Sequence, residues 1–76
     1  MKYVITDRGE VAVGGSFHFQ MAKALKGKVV AAGRYRLIDD GRRVEVFGMS
    51  HAFHIQAMPG DALVIARHLG LYRAPR

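Results

Sequence analysis

The chain contains no cysteine, so neither a disulfide framework nor a thiolate zinc centre can hold it together. It has no apolar run approaching the ~18 residues that a membrane-spanning helix needs, which predicts no membrane span. It lacks the G-x-x-x-x-G-K-[ST] loop and a strand-linked G-x-G-x-x-G, so nucleotide binding by those two routes is not indicated. Acidic residues are scarce as well: six, against twelve Lys and Arg, for a net charge of +6. That imbalance favours anionic partners. The cations are scattered, however, and form no basic tail. After Lys2 the short mixed segment breaks at Asp7-Arg8-Gly9, so no signal peptide is expected. A cytoplasmic location is the expectation, although absence of cysteine does not itself fix a compartment.

What remains is ordinary globular composition, half of it apolar, in 76 residues. This predicts one small α+β domain covering residues 1–76, with a modest core. Lys2 to Thr6, rich in β-branched and aromatic residues, reads as a strand; Asp7 to Gly9 as a turn; Glu10 to Val13 as the returning strand. Ser16 is a candidate N-cap for a helix over roughly Phe17 to Leu25, ended by Gly27. Gly27 to Ile38 returns to strand, with Tyr35 and Leu37 on one face and Arg34 and Arg36 on the other. Gly33 marks a bulge or a close backbone approach. Asp39 to Gly41 forms a second turn and Arg42 to Gly48 a fourth strand. The loop Met49 to Met58 then leads to a final helix. Pro59 and Asp61 suit that helix's first turn and Gly70 its end, and Ala62, Ile65, Ala66 and Leu69 give it an apolar face. The expected order is ββαββα, four strands and two helices.

That order is written twice. Lys2-Tyr3 answers Arg34-Tyr35, TDRG answers IDDG, VAVGGS answers VEVFGMS, and FHFQ (Phe17 to Gln20) answers FHIQ (Phe53 to Gln56). The offset grows from 32 residues (Lys2 to Arg34) to 36 (Phe17 to Phe53). Two ββα units related by a pseudo-two-fold axis are therefore expected, a duplication within one domain rather than a solenoid.

The pairing sharpens interest in His18, whose counterpart is His54. A lone histidine near a helix start is usually structural. This one sits between two phenylalanines, after Gly14-Gly15-Ser16, in a basic chain. A helix start offers unpaired N–H groups to an anion and favours a neutral imidazole, the form a base or nucleophile needs. Those features suit phosphate chemistry. His51 and His54 form H-x-x-H, which has no evident third ligand, so no metal is assigned. His68, near the end of the last helix, reads as a dipole partner, and Met21, Met49 and Met58 as core filler.

At this level the chain resembles the Janus-type phosphohistidine phosphatases. KYV at Lys2 to Val4 is similar to the family's first strand. FHFQM stands where the family carries an aromatic-histidine element, AAGRYRL in place of its glycine-rich segment, and VEVFGMSHAF is close to its Val-Tyr-Gly-x-Ser signature. The first helix is shorter than the family's, the triple glycine has become AAGR, and the family's last strand has at best a remnant in LYRAPR. The resemblance implies a mixed four-stranded sheet flanked by helices and a phosphate pocket with His18 as the catalytic residue and Lys2 as a phosphate contact. Arg34 would support the site. Backbone N–H groups of the Ser50, His51 and Ala52 loop would hold phosphate oxygens. No cofactor is implied, and the ligand is phosphorylated or otherwise anionic.

A second class stays open beside it. Arg34 and Arg36, with Arg42, Arg43 and Phe47 on the adjacent strand, form a candidate sheet surface for nucleic acid, with a single aromatic to stack on. A third is an interaction module whose free strand edge pairs with a second copy. The sequence leaves the oligomeric state open.

Overall fold

A computed structural model describes residues 1–71. Its main sheet has four strands: β1 (Lys2–Thr6), β2 (Val11–Gly14), β3 (Val29–Ile38) and β4 (Arg43–Phe47), in the order β2-β1-β3-β4. Every neighbouring pair is antiparallel, which corrects the expected mixed sheet. Tight hairpins fix the two outer pairs, since a hairpin joins only antiparallel strands. The central pair is decided by the long crossover from β2. It returns β3 parallel to β2 and so antiparallel to β1, which lies between them. The turns carry the residues such turns require: Gly9 has φ 78° in the first, and Asp39, Asp40 and Gly41 have φ 52°, 57° and 81° in the second.

Two helices cover the sheet. Helix α1 (His18–Ala22) packs on the face of Val4 and Ala32, where Met21 joins their cluster. Helix α2 (Asp61–His68) packs on the opposite face, where Ile65 meets Tyr3, Ile5 and Tyr35. The strand alternation that separates Val4 from Tyr3 and Ile5 thus builds two small cores on one sheet. Between β4 and α2, the segment expected to be a loop folds into a two-stranded hairpin of β5 (Met49–Ser50) and β6 (Ile55–Gln56). Phe53 and Ile55 of this hairpin pack against the α1-side core.

Helix α2 ends as its sequence indicates. Gly70 adopts φ 76°, the Gly70 N–H bonds to the Arg67 carbonyl, and the Leu71 N–H bonds to the Ala66 carbonyl. This doubly bonded left-handed cap satisfies the last carbonyls. Helix α1 departs from expectation. Phe17, not Ser16, is its N-cap residue, with no side-chain cap bond, and the helix stops at Ala22. Downstream, the Glu10 carboxylate accepts from the backbone N–H groups of Lys26 and Gly27 (2.6 Å for the latter). Two tight turns follow the helix, with the Ala24 N–H on the Met21 carbonyl and the Leu25 N–H on that of Ala22, and this clamp then ties the chain to the β1–β2 turn.

The two hairpins pair in corresponding registers, and the correspondence stops there. Tyr3 pairs with Val13 and Ile5 with Val11, just as Tyr35 pairs with Val46 and Leu37 with Val44. The helices break the correspondence. A two-fold axis normal to the sheet would put both on one face, whereas they lie on opposite faces. FHFQ enters α1, and FHIQ forms a turn and β6, with His54 at φ 54°. The expected equivalence of Phe17 with Phe53 and of His18 with His54 is therefore corrected. The residues inserted after Gly48 form a hairpin of their own and carry Phe53 into the core as part of it. The family-like last strand expected in LYRAPR lies, from residue 72 onward, outside the described residues.

Candidate functional site

The site lies on the α1 side of the sheet, where β1 begins. Lys2 on β1 and Arg34 on β3 are direct cross-strand partners, so their side chains emerge side by side on the face that α1 covers. Helix α1 follows β2 through Gly14-Gly15-Ser16 and brings Phe17, His18 and Phe19 to the same end. The β5–β6 hairpin adds Met49, His51 and Ala52 from across. Together these residues line a cavity of about 330 Å³.

Of the six site residues expected from sequence, five line this cavity: Lys2, His18, Arg34, His51 and Ala52. Ser50 is fully buried, outside the lining, and its hydroxyl has no hydrogen-bond partner among the described residues. His54 and His68 are exposed and away from the cavity. Among the described residues, no group of three or more His, Cys, Asp or Glu is arranged to hold a metal ion.

His18 is buried, only 7% exposed, and its Nε2 lies 2.8 Å from the Gly33 carbonyl oxygen. A carbonyl can only accept, so Nε2 carries the proton when the ring is neutral. Nδ1 is then left with the lone pair. His18 and Met21, three residues apart, form the buried face of α1. The neighbouring phenylalanines turn outward instead: Phe17 is 63% and Phe19 46% exposed. Hydrophobicity alone would have buried the two rings and exposed the imidazole.

Gly33 serves both faces of the sheet. Its carbonyl holds His18 on one side. On the other, an added Cβ would lie 2.8 Å from the Ala57 Cβ and 3.2 Å from the Tyr3 hydroxyl. The close approach expected at this glycine is present, while the irregularity in the β1–β3 ladder falls at Ile5/Thr6. The Tyr3 hydroxyl donates to the Asp61 carboxylate at 2.5 Å, and that carboxylate also accepts from the Met58 N–H at 3.0 Å. Burial first, then the bond to Asp61, push the Tyr3 phenol far above its ordinary range. It remains a neutral donor that ties β1 to the start of α2.

Three wall features were not legible as site elements in the sequence. Phe17 and Phe19 stack with centroids 5.8 Å apart and planes 15° from parallel. The Lys2 ammonium lies 5.1 Å from the Phe17 centroid, and that of Lys23 5.7 Å from Phe19. Met49, expected as core filler, is exposed and forms part of the wall. The F-H-F alternation was the available signal. It marks either a core phenylalanine pair or an aromatic rim, and only packing distinguishes them.

The arginine strip considered for nucleic acid is partly neutralised. The Arg36 Nε donates to Glu45 at 2.6 Å, and the guanidinium lies over Phe47 at 5.3 Å. Arg43 pairs with Asp39 at 3.2 Å. Arg34 turns toward the cavity.

No family model, curated protein or solved structure matches the chain.

Proposed function

We propose that this domain binds a phosphoryl group in the cavity between Lys2, His18 and Arg34, and that His18 acts on it in the manner of a phosphohistidine phosphatase. The observation that carries this reading is the anchoring of His18. Its Nε2–H is committed to the Gly33 carbonyl, which leaves Nδ1 as an acceptor in a cavity shared with two cations.

The chemistry follows without a cofactor. Nδ1 accepts a proton from a water molecule as the water oxygen bonds to phosphorus and the bond from phosphorus to the leaving atom breaks. Direct attack by Nδ1 on phosphorus, followed by hydrolysis of the phosphoimidazole, is the nucleophilic version of the same arrangement. Lys2 and Arg34 offset the charge on the equatorial oxygens, and peptide N–H groups of the Ser50 to Ala52 turn add donors. A cytoplasmic location and a phosphorylated partner belong to the same reading. The nucleic-acid alternative has less support, because acidic partners already engage Arg36 and Arg43.

The test is phosphate release from phosphohistidine and from a small aryl phosphate by wild type, His18→Ala and His54→Ala, with folding verified for each. Loss of His18 should lower the rate by at least about a hundredfold, and loss of the exposed His54 should leave it near wild type. Equal rates for wild type and His18→Ala would remove the catalytic assignment. A parallel titration with inorganic phosphate should shift the amides of Lys2, Arg34 and the 50–52 turn. Shifts spread diffusely over the basic surface would remove the pocket.

A further inference from the structure

The walls of the cavity carry information about what is attached to the phosphoryl group. The lining combines two cations, Lys2 and Arg34, with apolar surface from Phe17, Phe19 and Met49. Among the described residues, no carboxylate or hydroxyl side chain lines the cavity. A free phosphate ion would use the cations and leave the apolar surface wet. The stacked pair Phe17–Phe19 presents large exposed ring surfaces at that position, an arrangement that buried packing would normally remove.

Lys2 lies where the cations meet the rings. Its ammonium rests near the Phe17 ring at 5.1 Å. A phosphate oxygen is a stronger partner for an ammonium than a ring face is. An arriving phosphate therefore draws Lys2 off Phe17 and uncovers ring surface beside the phosphate seat. A flat aromatic group attached to that phosphate would then stack where the ammonium had been, as aromatic rings prefer in offset geometry.

We propose that the site selects a phosphoryl group carried on a flat phenol-type ring, an aryl phosphate, over the same group on a saturated carbon skeleton, with Phe17 and Phe19 as the selecting ledge. This rests on the phosphate-pocket reading above. It is a claim about binding preference and requires no additional chemical step.

The test uses three probes: phenyl phosphate, cyclohexyl phosphate and inorganic phosphate. The first two match closely in size and charge and differ in flatness. Dissociation constants are measured by amide-shift titration of wild type, Phe17→Leu and Phe19→Leu. Both rings are exposed, so neither change removes a core side chain. Wild type is expected to prefer phenyl over cyclohexyl phosphate by about fivefold, what one stacked ring pair supplies beyond its buried area. In Phe17→Leu that ratio should fall toward one, with inorganic phosphate bound at least as tightly as before. Equal affinity of wild type for the two esters overturns the selectivity while leaving the phosphate pocket standing, as does a ratio unchanged in both variants. Absence of shifts at Lys2, His18 and Arg34 with all three probes overturns the pocket and the selectivity together.

Discussion

Gly33 is the residue on which both faces of the sheet converge, and its role is steric on one side and hydrogen-bonding on the other. Gly33→Ala is expected to cost about 1–3 kcal/mol, the usual cost of forcing a methyl into a filled space. Because Ala57 and Tyr3 must then shift, the Gly33 carbonyl moves and loosens His18. Urea unfolding reads the first effect and the His18 ring nitrogen shifts read the second. Unchanged ring shifts would separate the steric role from the anchoring one. Tyr3 offers a companion case. Tyr3→Phe keeps the ring and deletes the donor, leaving a buried Asp61 carboxylate oxygen with the Met58 N–H alone. The expected loss is about 1–3 kcal/mol, measured by the same unfolding assay, and a loss below the error of that assay would discount the bond.

Among the elements, the connector from α1 to β3 is held by two carboxylates: Asp7 accepts from the Lys28 N–H, and Glu10 accepts from those of Lys26 and Gly27. The Lys26 N–H, then the Gly27 N–H, hold the Glu10 carboxyl below its ordinary pKa. The folded state therefore binds Glu10's proton less readily than the unfolded chain does. Stability from this group is present above the unfolded value, about 4.3, and is lost as pH falls through the lowered folded value. Glu10→Gln should flatten that part of the acid limb, seen as a smaller drop in urea midpoint between roughly pH 6 and pH 3 than wild type shows. An identical pH profile in the variant would mean that other carboxylates set the limb. Gly27 belongs to the same clamp, since a Cβ there would lie 2.7 Å from both Asp7 Oδ1 and Thr6 Oγ1. Sequence reading marked this glycine as the end of a helix, whereas its geometry serves a close crossing of two loops.

For the whole molecule, one sheet divides two small cores, one covered by α2 and the other by α1 with the β5–β6 hairpin. Ile65 is completely buried on the α2 side, and Met21 is nearly so on the α1 side. Ile65→Ala should cost about 2–5 kcal/mol, and Met21→Ala about 2 kcal/mol because a flexible, unbranched chain leaves a gap its neighbours can partly fill. For a domain this small, the first value is a large share of total stability. Both variants should unfold in a single transition by far-UV circular dichroism and by tyrosine fluorescence, since the two cores share β1 and β3. Separate transitions for the two probes would show that α1 and its core melt independently.

The chain order of the main strands, both tight turns and the C-terminal end of α2 were written in the sequence, whereas the helix begins at Asp61, after Pro59. The legible features depend on short-range causes: β-branched runs, residues tolerant of positive φ, and a glycine that closes a helix. The alternation that separates the two faces follows from the same local periodicity, whereas Lys2 and Arg34 become neighbours only through the pairing of β1 with β3. The face chosen by each helix was not legible, because an apolar stripe states that a helix packs but not which side of a sheet receives it. The buried His18 between two exposed phenylalanines was also beyond local reading. Its burial depends on a carbonyl fifteen residues away in sequence, and that partner exists only once β3 lies beside β1. The same holds for FHIQ, which repeats a helical segment in letters yet folds as turn and strand. Its conformation was decided by the short hairpin that the inserted residues form and by the core that accepts Phe53.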